Sequence, residues 1–170
     1  MIVTGIGARG TFALGSSAFA CALGRSGIVA AARKREGDGA TPAGRFALRG
    51  GFYRADRLAL PEKLRDWFRP IEADMAWEDD PESAHYNRLI RTKRRDHPER
   101  LARDDGVYDI VVPLGYNDAP PVAGLGSAIF LHVARADYAP TAGCVALALG
   151  DLLAVLQRAD EGAALDIRPG

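Results

Sequence analysis

The apolar stretches of this chain are short and broken by glycine, which occurs 19 times in 170 residues. Glycine weakens helix interiors and marks turns, so this punctuation favours strands joined by tight connections. Thr11 to Leu14 and Ala18 to Leu23 read as two strands around Gly15-Ser16-Ser17, and Ile28 to Ala32 as a third. Lys34 to Phe46 is turn-rich, and Phe46 to Leu48 resumes a sheet. Val107 to Leu114 and Ser127 to Ala134 are the strongest strand candidates, β-branched and partly alternating. The first of them runs into G-Y-N-D-A-P-P, a strong turn signal. Pro61 to Phe68 reads as a short helix opened by proline in its first turn. Asp151 to Ala159 is the clearest helix: its acidic start and basic end suit the helix dipole, and Leu152, Leu153 and Leu156 form an apolar face. Ala164 to Ile167 reads as a closing strand, and Asp74 to Arg103 as a polar, irregular stretch. The expected architecture is mainly β with a few short α-helices, in one domain over residues 1–170.

Several function classes are set aside by composition. Lys and Arg together number 22, as do Asp and Glu, so the chain has no global charge with which to attract nucleic acid or an anionic membrane. The basic run Arg88 to Arg95 reads as a solvated loop face or helix. No run of about 20 apolar residues is present, so no membrane span is expected. Cys21 and Cys144, with His85, His97 and His132, lack the spacing of a zinc site, and no metal or cofactor is expected.

The chemistry concentrates near the C-terminus. Cys144 lies in T-A-G-C-V-A-L and follows His132, which lies in I-F-L-H-V. A thiol attacks acyl groups as thiolate, so a nucleophilic cysteine needs a base nearby, and a histidine held on a strand has a reproducible position. Gly143 permits a tight turn before the nucleophile. The backbone amides of Gly143 and Cys144 are then candidates to face a developing oxyanion. Cys21 reads as core.

These residues resemble a known family. A histidine, a variable loop and then S/T-x-G-C is the active-site pattern of the YkuD-type L,D-transpeptidases. Lys34 to Phe46 (K-R-E-G-D-G-A-T-P-A-G-R-F) resembles that family's K-x-x-G-D-x-x-T-P-x-G-x-F segment. The resemblance continues through G-V-Y-D-I-V-V-P-L-G-Y-N-D and G-S-A-I-F-L-H, and is nearest to the compact, single-domain branch. It implies a β-sandwich-like catalytic domain with Cys144 as nucleophile, His132 as general base and Gly143 in the oxyanion hole. Thr141, at the S/T position, would shape the loop and border the substrate. Tyr86, Asn87 and Arg88 resemble residues near the pocket in the compact branch. A backbone carbonyl, rather than Asp137, would orient His132.

The chain departs from the pattern in three places. Ala146 stands where many relatives have arginine, Val133 where many have glycine, and the loop from His132 to Cys144 is shorter than is common. Arg135, inside that loop, is the candidate to hold the substrate carboxylate instead. The implied activity is cross-linking of peptidoglycan stem peptides through a thioester acyl-enzyme, giving 3→3 or 1→3 links, by a monomer without cofactor. Hydrolysis of the same acyl-enzyme, as an L,D-carboxypeptidase or endopeptidase, and a non-catalytic wall-binding module are the alternatives. The N-terminus shows no basic leader and long apolar core, yet the implied substrate lies outside the cytoplasmic membrane. Substrate logic therefore favours the periplasm or cell wall.

Overall fold

The computed structural model describes residues 1–94 and 98–170. It begins with a meander of β1 (Ile2–Ile6), β2 (Arg9–Leu14) and β3 (Ser17–Ala22), paired Ile6 to Arg9 and Leu14 to Ser17 across two-residue turns. Gly7 and Gly15 occupy the first position of those turns at φ 58° and 59°, where a hairpin that follows the strand twist needs positive φ. Next, β4 (Ile28–Ala30) runs parallel to β5 (Thr41–Ala47), and β6 (Gly51–Tyr53) parallel to β7 (Phe68–Pro70). A separate antiparallel sheet follows, with β8 (Met75–Trp77) between β9 (Leu89–Arg91) and β10 (Glu99–Arg100). The chain ends with β11 (Ile110–Pro113), β12 (Phe130–Val133), β13 (Val145–Leu147), helix α1 (Leu149–Arg158) and β14 (Ala164–Pro169).

The large sheet has the order β4-β5-β14-β1-β2-β3-β13-β12-β11-β6-β7. Val3 of β1 and Val112 of β11 share one core although they lie far apart in that order, as a twisted sheet of this width requires when it curls over itself. Strand takes 37% of the residues and helix 10%, so the fold is mainly β, in keeping with the β-sandwich-like domain expected. Leu152, Val155 and Leu156 of α1 are fully buried in the same core. Burying each contributes roughly 1.5–3 kcal/mol. Among the described residues no helix is long and apolar enough to cross a membrane.

Strands β11, β12 and β13 are covered on both faces. Ile110, Val112, Leu131, Val145 and Leu147 point into the main core with α1. The alternate residues Val111 and Phe130, with Cys144, join Met75 and Leu101 in a second cluster beneath the small sheet. This double burial explains why F-L-H-V and V-A-L read as continuous apolar runs.

Four local expectations are corrected. Asp74 to Arg103 is not irregular: it carries the three-stranded sheet, where Met75, Ala76 and Leu101 are buried between polar neighbours. Leu89–Arg91, inside the basic run, is a strand whose Arg91 pairs with Glu72 and Asp74 at 2.6 and 2.9 Å; Arg95 and His97 lie outside the described residues. Pro61 to Phe68 holds only one 3-10 turn, Glu62–Leu64, because Trp67 and Phe68 are drawn into the core and Phe68 starts β7. Ile28 to Ala32 is a strand only to Ala30, and Ala31–Arg33 forms a second 3-10 turn.

Candidate active site

Strand register puts Cys144 and His132 on one face. β12 and β13 run parallel with Leu131 opposite Val145 and His132 opposite Ala146. Cys144 immediately precedes β13, so by the two-residue period of a strand its side chain projects to the same side as Phe130 and His132. Both Cys144 and His132 line a cleft of about 380 Å³, together with Arg25, Lys34, Glu36 and Tyr108.

His132 is buried, and its Nδ1 lies 2.9 Å from the carbonyl oxygen of Val133. A carbonyl only accepts, so Nδ1 carries the proton and Nε2 keeps the lone pair of a base. A backbone carbonyl thus orients the ring; the Asp137 carboxylate instead accepts from the Ala139 amide at 3.0 Å. The Tyr108 ring meets the imidazole edge-on, with centroids 5.3 Å apart. Burial pulls the His132 pKa down to about 4, against a weaker upward pull from the Val133 carbonyl. His132 is therefore a neutral imidazole at physiological pH.

Cys144 is held as a neutral thiol. Its Sγ donates to the Ala128 carbonyl at 3.2 Å and accepts from the Phe130 amide at 3.3 Å. Burial pushes the thiol up to about 12, outweighing the Phe130 hydrogen bond and the charge of Lys34. The two shifts act in opposite directions on the two groups, and both favour the neutral thiol and neutral imidazole over a thiolate–imidazolium pair.

The loop before Cys144 is organised by the Thr141 hydroxyl. Thr141 Oγ1 accepts the Gly143 amide at 3.1 Å and donates to the Cys144 carbonyl at 2.8 Å. Gly143 sits at φ +145°, and a Cβ there would lie 2.9 Å from the Ala40 carbonyl oxygen, so only glycine fits. In this arrangement the Gly143 amide points at Thr141.

The expected substrate-contacting residues divide into two groups. Thr141 and Arg135 line the cleft. Arg135, however, pairs with Asp105 at 3.0 Å, in a chain of charges that continues from Asp105 to Arg103 at 2.7 Å and from Arg103 to Glu99 at 2.8 Å. The Arg103 hydrogen bond brings the Asp105 carboxyl down to about 2.

Tyr86, Asn87 and Arg88 do not line the cleft. The Tyr86 hydroxyl is turned to the Glu36 carboxylate at 2.5 Å and accepts the Gly126 amide at 3.0 Å, one layer behind the wall. The Asn87 amide is fully engaged: Oδ1 accepts from Trp77 Nε1 at 2.8 Å and the Ala128 amide at 3.1 Å, while Nδ2 donates to the Tyr116 and Asn117 carbonyls. Asn87 braces Ala128, whose carbonyl in turn receives the Cys144 thiol. Arg88 is exposed on the far side of that turn.

Sequence reasoning missed three cleft residues. Tyr108 lies in the V-Y-D-I-V-V-P-L run, where it passes for an ordinary strand residue, yet its hydroxyl hydrogen-bonds Glu99 and its ring walls His132. Lys34, only 2% exposed, bonds Asp38 Oδ1 and the Arg35 carbonyl, both at 2.7 Å. Glu36 accepts Ser127 Oγ at 2.6 Å as well as Tyr86. The K-R-E-G-D spacing was their signal: four charged residues around Gly37 imply a folded, self-bonded turn rather than a solvated loop. Among the described residues no cluster of His, Cys, Asp or Glu is placed to hold a metal ion.

The family described as YkuD, the L,D-transpeptidase catalytic domain, matches residues 9–167. No curated protein and no solved structure matches the chain.

Proposed function

The chain belongs to the YkuD family of L,D-transpeptidase catalytic domains, and from that premise we propose that it is a cysteine-dependent acyltransferase acting on peptidoglycan stem peptides. The observation that carries the reading is the shared face of β12 and β13, which sets Cys144 and His132 in one cleft with His132 Nδ1 already engaged by a carbonyl.

In the proposed reaction Sγ of Cys144 attacks an amide carbonyl of the donor peptide as its proton passes to Nε2 of His132. The imidazolium then gives that proton to the departing amine, and a thioester remains on Cys144. An amine of a second stem peptide attacks the thioester, with His132 accepting its proton, and a new amide bond is released with the free thiol. The Gly143 and Cys144 amides are the proposed donors to the oxyanion. For Gly143 this means sharing its N–H between Thr141 Oγ1 and the substrate oxygen, so the Thr141 hydroxyl is part of the tuning of that site. A peptidoglycan substrate favours a working location outside the cytoplasmic membrane, in the periplasm or cell wall.

Intact mass spectrometry and product identification after incubation with stem tetrapeptides and pentapeptides, for wild type beside Cys144→Ala, tests this. The expected outcome is a covalent adduct on the wild type alone, together with cross-linked dimer in solution. Adduct without dimer, and with only shortened peptide, would make the enzyme a hydrolase. Peptide binding by both proteins with neither adduct nor product would sink the catalytic reading.

A further inference from the structure

Four cationic side chains line the cleft: Arg25, Lys34, Arg103 and Arg135. Three are matched by carboxylates, Lys34 by Asp38, Arg103 by Glu99 and Asp105, and Arg135 by Asp105. Among the described residues Arg25 enters no ion pair. One of its guanidinium nitrogens donates to the Gly37 carbonyl at 3.2 Å, which leaves most of its five N–H groups open.

Arg25 is nevertheless seated. Its side chain packs over Gly39, at φ +69°, where an added Cβ would come within 2.6 Å of the Arg25 Cζ. Its backbone is tied to the nucleophile loop: the Arg25 amide donates to the Thr141 carbonyl at 3.0 Å, and the Thr141 amide to the Leu23 carbonyl at 2.8 Å. On the other side the Ser26 amide reaches the Gly39 carbonyl at 3.1 Å and the Thr41 amide reaches Gly27 at 2.9 Å. An exposed planar cation that packs over Gly39, enters no ion pair among the described residues and has its backbone tied to the Thr141 loop is suited to bidentate recognition of a carboxylate.

Resting on the acyltransferase reading above, we infer that Arg25 is a specificity-determining residue that binds a carboxylate of the acyl-donor peptide. Arg135, the sequence-based candidate for that task, is committed to Asp105. Arg25 fixes the donor relative to Cys144 because both belong to the framework that Thr141 joins. A cation held this way discriminates a free carboxylate from its amide, since the amide lacks the charge and one of the two acceptor oxygens.

The test uses a stem tetrapeptide and variants of it in which each carboxylate in turn is a carboxamide. Acyl-enzyme formation is followed on wild type, Arg25→Ala, Arg25→Lys and Arg135→Ala. Wild type should lose about tenfold or more in kcat/KM on amidation of one particular carboxylate. Arg25→Ala should lose a similar factor with the free acid, mainly through KM, and become indifferent to that amidation. Arg25→Lys should recover part of the preference, and Arg135→Ala, whatever its rate, should keep it.

An Arg25→Ala enzyme that still prefers the acid overturns the inference, as does a wild type indifferent to every amidation. If wild type forms no acyl-enzyme with any peptide, it is the acyltransferase reading that fails. Calorimetric binding of the same peptides to Cys144→Ala and to Cys144→Ala/Arg25→Ala then decides the Arg25 assignment without chemistry: an acid preference lost with Arg25 supports it, and one that persists, or was never present, overturns it.

Discussion

The two cysteines stand on opposite faces of the same sheet. Cys21 of β3 lies across from Leu147 of β13 and packs in the main core, whereas Cys144 at the start of β13 faces the cleft beneath the small sheet. Burial pushes both thiols up to about 12, so burial alone does not mark the nucleophile. The difference is in what surrounds them. Cys21 has apolar neighbours only as a cause of its shift, while Cys144 has a donor, an acceptor and an oriented imidazole on its own face. One face of β12 and β13 stabilises the fold, and the other holds polar groups whose cost is offset by that stability.

The sharpest way to break this comparison is His132→Gln, which leaves the core face untouched. Loss of a general base should lower acyl-enzyme formation by about 10²- to 10⁴-fold, read as the rate of adduct appearance by mass spectrometry. The same residue predicts a pH signature. Its folded pKa, about 4, lies below the ordinary value of 6.5, so as pH falls the unfolded chain takes up the proton first and the folded state loses ground. Wild type should therefore lose about 3 kcal/mol of stability between pH 6.5 and 4, a loss that His132→Gln lacks. Activity, which needs the neutral ring, should hold on the acid side until pH approaches 4. Denaturant titrations across that range check the stability claim, and superimposable wild-type and variant curves would refute it.

Asn87→Ala probes the brace behind the cleft face. It removes the partners of Trp77 Nε1 and of the Ala128 amide, so stability should fall by about 2–3 kcal/mol. Acylation should slow by about tenfold, because the Ala128 carbonyl that positions the thiol loses its support. A stability loss with unchanged kcat per folded molecule would reduce Asn87 to a purely architectural role.

The smallest effect belongs to Cys21→Ala. The variant should cost about 1 kcal/mol from the lost sulfur contacts and leave kcat/KM within about twofold of wild type. Any tenfold loss of activity would mean that the two faces are coupled through β3 and β13.

Much of the architecture was legible in the chain. The β-branched runs before Pro113 and around His132, the Asp151 to Arg158 helix and the glycine turns all follow from local period and turn chemistry. The small sheet was not. Its strands are only two or three residues long, too short for any alternation to be visible, and only Met75, Ala76 and Leu101 betray it once they are seen to be buried. Strand β1 was unread as well, because Ile2–Ile6 carries a threonine and a glycine and exposes Ile2 and Ile6.

The sequence by itself determined which reactive groups the chain offers: a thiol after glycine, a histidine on an apolar strand, and the K-R-E-G-D turn, each set by residue type and short-range spacing. Only the tertiary structure decided which cations remain unpaired, which tautomer His132 adopts, and that Asn87 lies behind the cleft instead of lining it. Those outcomes depend on contacts between segments distant in the chain, such as Asp105 with Arg135, Arg25 with Thr141 and Asn87 with Ala128. A charge or an amide is spoken for only when the fold brings its partner to it, and no local pattern records that meeting.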